Sequence, residues 1–323
     1  MPLHNRRVLL AAALALPAFA PGAARAALPD RIRWIVGFPP GGGPDLLTRL
    51  LVQRLEPELG RTIVVENRPG AAGNLAATAI ARARPDGATF GTLFAANLAV
   101  NRHLYPSLGY DSARDFALIG EFARFPGAVL VHPSVPATDL EGLAAWIREQ
   151  PRPPLWATPG AGVIPHLATE MLLRRLQVNA DLVHYRGNVE ALLDLAAGRV
   201  QIAVDGFPTA LPAARDGRAR AIAATGATRS ALAPDLPAVA ETLPGFDAVS
   251  WIAAAAPAEL PAPLLDQLAA AIANAAADPA LRARFAGLGA EAIGTGPAAL
   301  IARAAEEDAR WGGLIRTAGI RVE

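Results

Sequence analysis

The stretch Arg31–Leu59, RIRWIVGFPPGGGPDLLTRLLVQRLEPEL, decides the fold. Ile32, Trp34, Val36 and Phe38 alternate through a run of strand length. Pro39, Pro40 and Gly41–Gly43 then end the strand in a shaped loop poor in side chains, because proline fixes φ and glycine opens positive φ. After Pro44 and Asp45 the period changes: Leu46, Leu47, Leu50, Leu51 and Leu55 recur at helical spacing. The unit is strand, glycine loop, helix. Such a loop either simply turns the chain or offers the uncovered N–H groups of a helix N-terminus to an anion. It is not a nucleotide P-loop: GxxxxGK[ST] is missing, and the chain contains no lysine, so all 30 basic residues are arginine.

The 323 residues, 52% of them hydrophobic and 18% charged, suffice for two globular domains. With no cysteine, disulfides, thiolate metal sites and a cysteine nucleophile are excluded. Arg6 and Arg7, the apolar run Val8–Ala20 and the small-x-small Ala24-Arg25-Ala26 predict an export signal over 1–26, with the mature chain starting near Ala27. The paired arginines fit either a general or a twin-arginine signal. Without that segment the balance is 27 Arg against 29 acids, and nothing points to nucleic acid or an anionic membrane.

Along the chain, strands and helices alternate. Ile63–Val65 reads as a buried strand of a parallel sheet, Ala71–Ala83 as a helix, Thr89–Phe94 as a strand and Ala96–Asn101 as a polar loop. Phe116–Phe122 and Ala128–His132 read as two separate strands. A second series follows, with strands at Leu155–Ala157, Leu182–Tyr185, Val200–Val204 and Ala219–Ala224. Two α/β series without a linker predict two α/β domains joined by crossing strands, the C-terminal part returning to the first. Ligands in such folds sit beyond the carboxyl ends of strands. Three loops qualify: Phe38–Asp45, Ala95–Asn101 and Thr158–Val163.

Several runs, taken together, carry a resemblance. They are Ile35–Asp45, Val64–Asn74 with its Glu66-Asn67-Arg68-Pro69-Gly70, Pro85-Asp86-Gly87, Asn101–Tyr105, and Gly160–Gly162 with His166-Leu167. His184–Gly187, Pro234–Glu241, Arg310-Trp311 and Ala318-Gly319-Ile320 complete the set. In this order they resemble the extracytoplasmic solute-binding proteins of tripartite tricarboxylate transporters, the Bug family. The resemblance implies a periplasmic-binding-protein-like (type II) Venus flytrap, with domain I over 27–126 and 226–323 and domain II over 127–225. It implies an exported, periplasmic, monomeric receptor that captures a small carboxylate and delivers it to membrane permease subunits, with no cofactor and no metal. The implied cleft residues are Phe38, Gly41, Gly42, Gly43 and Asp45 of the first loop, Asn97, then Thr158, Gly160, Gly162, Val163, His166 and Asp205. The chain departs from the family pattern in having Gly37 for proline, Val163 for a hydroxyl residue, and apolar Ala96, Leu98 and Ala99, which predicts a less polar pocket.

Some of these positions carry a second reading. Asp45 caps the following helix or braces its loop, since a carboxylate there would repel an acid, and Asn67 and Arg68 order the adjacent turn. Thr158 is a hydroxyl donor at a strand end. His166 is either a packing histidine or a contact, and Asp205 either holds water or an amine or caps the next helix. An enzyme reading finds no GxSxG, no cysteine and no HExxH among five histidines. A Ser-His-Asp set assembled from distant residues, hence a hydrolase, stays open, as does a sensor module presenting its ligand-bound form to a signalling receptor.

Overall fold

The computed structural model of the protein describes residues 27–322, so the export segment lies outside the described residues. Ten strands are present: β1 Arg31–Val36, β2 Thr62–Asn67, β3 Thr89–Phe94, β4 Phe116–Val131, β5 Leu155–Thr158, β6 Asp181–His184, β7 Ile202–Gly206, β8 Arg220–Ala224, β9 Val249–Pro257 and β10 Glu291–Ala292. They form one curled sheet in the order β2-β1-β3-β9-β4-β7-β5-β6, with β8 and β10 also pairing β4. Within the two halves β1 lies parallel to β2 and β3, and β5 parallel to β6 and β7.

β4 belongs to both halves. From Phe116 to Pro126 it pairs antiparallel with β9, and from Gly127 to Val131 with β7 and β8. The sequence reading placed separate strands at Phe116–Phe122 and Ala128–His132, with Pro126-Gly127 between them. The pair instead sits where the strand hands its hydrogen bonds from one sheet to the other, so the missing proline N–H interrupts neither ladder.

The pleat sorts side chains onto two apolar layers. Ile32, Trp34 and Val36 pack on one face with Phe90 and Phe122, while Ile35 faces the other with Val129, Trp156 and Trp251. Leu47, Leu51 and Leu55 bury one stripe of the Gly43–Leu59 helix, which ends at Gly60 in the left-handed region (φ 62°).

Two local expectations need correcting. Ile63–Val65 does run in a parallel strand, but it is not buried throughout: β2 is the sheet edge, Ile63 is buried and Val64 is 37% exposed. The Ala96–Asn101 segment is helical rather than a loop, a π turn over Ala96–Val100 running into the Asn101–Leu104 helix. Asn74 is its anchor: its Oδ1 accepts from Asn97 Nδ2 (3.1 Å), Asn101 Nδ2 (2.7 Å) and the Tyr110 hydroxyl (2.8 Å). No helix among the described residues is long and apolar enough to cross a membrane.

Candidate functional site

A cleft with about 490 Å³ of atom-free space, its solvent mouth included, opens between the halves. Phe125, Ser250, Trp251 and Ile252 of the crossing strands form its floor. Phe38, Gly43, Pro44 and Phe94–Ala96 line it from the first half, and Pro159, Val163–Pro165, Asn188, Gly206, Pro208 and Thr209 from the second. Phe38 and Phe94 meet edge-on with centroids 4.9 Å apart.

Four helices begin in this wall: Gly43–Leu59, Ile164–Leu176, Asn188–Ala196 and Phe207–Arg215. Three carry proline in the second position, Pro44, Pro165 and Pro208. Proline there presets φ and removes a donor that has no helical partner, while the neighbouring N–H groups stay available. None of the lining side chains is charged. The site can therefore hold an anion by helix termini rather than by an arginine clamp.

The halves touch around the cleft. A Cβ on Gly43 would lie 3.1 Å from Pro208 Cβ, and one on Gly187 would lie 2.6 Å from Pro39 Cδ. Gly162 is close as well and sits at φ +94°: a Cβ there would lie 2.8 Å from Asn101 Oδ1. Glycine is needed at these places by close approach, and at Gly162 by backbone conformation as well.

Of the twelve residues nominated from sequence, Phe38, Gly43 and Val163 line the cleft. The others stand behind it. The N–H of Gly41 donates to Asp45 Oδ2 (2.9 Å), that of Gly42 to the Pro39 carbonyl (3.2 Å), and Gly42 backs onto Asn188. Asp45 is buried and faces its own loop, accepting from Gly41 N, Arg49 Nε (2.9 Å) and Asn67 Nδ2 (2.8 Å). Burial alone would raise its pKa, but the bonds from Arg49, Asn67 and Gly41 outweigh it and hold the carboxyl below its ordinary value. Asn97 is turned inward to the Phe94 N–H (3.2 Å) and to Asn74.

On the opposite loop, Thr158 is fully buried with its hydroxyl 2.7 Å from His184 Nδ1. His166 accepts the Gly162 N–H on Nδ1 (3.0 Å) and stacks edge-on against His184, so it holds the loop from within. Burial, then the neighbouring His166, push the His184 pKa down to about 4. Gly160 and Gly162 shape that loop against Ala72 and Asn101 of the other half. Asp205 lies one layer behind the wall, with Oδ1 accepting from Asn188 Nδ2 and the Gly206 N–H (2.8 Å), and Oδ2 from the Thr209 hydroxyl (2.6 Å). Burial outweighs these bonds and pushes its pKa up to about 6.

Sequence reasoning missed Asn188, Thr209 and the aromatic floor. Asn188 and Thr209 follow the same cue as the first loop, a glycine between a strand end and a helix start (Gly187 and Gly206). Trp251 and Phe125 carried no cue: Trp251 reads as a core residue of a strand near Val249–Ala255, and Phe125 falls between the strands read at Phe116–Phe122 and Ala128–His132. Two buried polar atoms on lining residues, Asn188 Oδ1 and Trp251 Nε1, have no hydrogen-bond partner among the described residues.

Two α/β halves exchanging strands around a cleft walled by helix N-termini are the build of a solute-binding protein. Residues 47–320 match the tripartite tricarboxylate transporter family receptor (TctC), and the chain belongs to that family. It is 34% identical over 317 residues, 97% of this chain and 94% of the relative, to the UPF0065 protein in the tcbD-tcbE intergenic region of Pseudomonas sp. strain P51. Among solved structures it is similar to R. palustris Rpa4515 with adipate (33% identity, 91% of this chain and 99% of that one, TM-score 0.88). It is also similar to MatC from Rhodopseudomonas palustris with bound malate (30% identity, 89% and 100% coverage, TM-score 0.84). Membership makes the chain a solute-binding receptor of a membrane transporter.

Proposed function

We propose that the mature chain is an exported, monomeric receptor that captures one small carboxylate in the cleft and hands it unchanged to the permease subunits of its transporter. The observation that carries this reading is the meeting of four helix N-termini, one from the first half and three from the second, at an uncharged wall. A carboxylate there gains dipole and charge-assisted hydrogen bonds together. Similarity to proteins holding adipate and malate adds weight.

On the same reading the halves are 27–126 with the C-terminal part, and a second unit beginning at Gly127. Ala238 bridges Ala224, and Arg175 Nη2 donates to the Pro244 carbonyl (2.8 Å), which favours carrying 226–248 with the second unit and setting the return crossing at Ala248–Val249.

A panel of carboxylates screened by thermal shift tests the function, because a ligand that binds the native state raises the transition. Refolded protein is included so that a co-purified ligand does not mask the shift. A transition moved only by neutral compounds would remove the carboxylate; recovery of a chemically altered acid would make the protein an enzyme.

A further inference from the structure

Asn188 opens its helix with 5% exposure, and its amide orientation is set by Asp205. The Nδ2 group donates to Asp205 Oδ1, since the opposite orientation would set oxygen against a carboxylate. That leaves Oδ1, an acceptor, buried in the cleft wall without a partner. Thr209 repeats the arrangement. Its single hydroxyl proton has two acceptors behind the wall, Asp205 Oδ2 at 2.6 Å and the Gly206 carbonyl at 3.2 Å, and whichever takes it leaves the oxygen with only lone pairs to offer. Among the described residues no basic side chain pairs with Asp205. One buried carboxylate thus converts two neighbouring lining side chains into acceptors, with its own charge behind them.

A buried acceptor left empty is costly, and a second carboxylate there would face like polarity. The geometry points to a ligand that carries, besides its carboxylate, a hydrogen-bond donor, a hydroxyl or an ammonium, seated against Asn188 Oδ1 and the Thr209 hydroxyl oxygen. This rests on the carboxylate reading above. The donor then takes the Asn188–Thr209 side, which Gly42 and Gly43 adjoin, and the carboxylate takes the helix start at Ile164.

The test is calorimetry of the mature wild-type protein with three matched sets: succinate, malate and aspartate; adipate, 2-hydroxyadipate and 2-aminoadipate; 3-phenylpropanoate, 3-phenyllactate and phenylalanine. Within the set that fits the cleft, a donor-bearing member should bind roughly ten-fold or more tightly than its unsubstituted parent. The hydroxyl and ammonium members separate the two sources of the donor. Asn188→Leu should collapse that ratio towards one, and Thr209→Ser should keep it. Equal binding of parent and donor-bearing acids would give Asn188 Oδ1 to a water and overturn the inference while the carboxylate reading stands. A ratio that survives Asn188→Leu would overturn it as well. If no acid of any set binds, the carboxylate reading itself fails and takes this one with it. Should Asn188→Leu not fold, the wild-type comparison decides alone.

Discussion

The Tyr105 hydroxyl donates to the backbone carbonyl of Ala161 at 2.8 Å, and the bond joins the first half to the glycine loop of the second. Burial raises the Tyr105 pKa, so the donor keeps its proton at any physiological pH. Tyr105→Phe removes the bond and leaves the ring in place. A net contribution of about 0.5–1.5 kcal/mol to the closed form predicts ligand release about two- to ten-fold faster. Stopped-flow tryptophan emission, to which the floor residue Trp251 contributes, reads that rate; an unchanged rate would mean the bond does not hold the halves together.

Gly187 isolates closure from folding. Its φ of 166° is extended backbone open to any residue, but a methyl group would press on the Pro39 ring at 2.6 Å across the cleft. Gly187→Ala should leave the unliganded melting temperature essentially unchanged and weaken ligand binding by roughly ten-fold or more, as the closed state becomes rarer. Small-angle scattering should show a larger radius with ligand than the wild type has. Normal affinity with a normal radius would show that the two loops have room to slide.

Asp205 makes stability depend on pH in a stated direction. Its carboxyl titrates near 6 in the native state against an ordinary value of 3.8. Between those values the native state holds a proton the unfolded chain has lost, so this contribution to stability is full below 3.8 and fades as pH rises through 6. At pH 7 the ionised, buried group costs on the order of 3 kcal/mol. Relative to wild type, Asp205→Asn should therefore gain stability from pH 4 to pH 7. His184, depressed to about 4, runs the other way, losing stability as pH falls through that value, and cancels in the difference. Urea unfolding of both proteins across this range checks it; a flat difference would contradict the shift.

Asp45 has the opposite sign. Held below its ordinary value, it stabilises above that value and loses the contribution as pH falls through the native one. Asp45→Ala leaves the Gly41 N–H and the Asn67 amide without their shared acceptor, and should cost about 2 kcal/mol at pH 7. Denaturant midpoints of variant and wild type should lie closer together at pH 3 than at pH 7; a gap that does not narrow would contradict the shift.

Much of the architecture was legible because it follows from periodicity. Leu47, Leu51 and Leu55 announce their helix, and Ile32 and Trp34 their strand. The edge position of β2 was not legible: Ile63–Val65 is apolar throughout, and only the neighbouring strand order exposes Val64. Nor was the continuity of β4, since Pro126-Gly127 has the same local chemistry whether the chain turns or changes partner. At the site, sequence found the loops, but of the twelve residues it named only Phe38, Gly43 and Val163 line the cleft. Thr158, His166 and Asp45 are polar groups satisfied by neighbouring side chains or by backbone, a matter of side-chain direction that spacing does not encode. Asn188 and Thr209 stand out only once Asp205 is seen to orient them.

The place where β4 changes partner has a mechanical consequence. The last pair of the first ladder is Pro126 with Val249, and the cleft floor begins at the adjoining pair, Phe125 with Ser250. Whatever bears on that floor therefore bears on the joint of the two ladders, while Tyr105 and Ala161 tie the halves together separately, through their loops. Thickness beneath a solute and closure of the loops above it are then one mechanical variable, and an acid one methylene too thick should be felt at both.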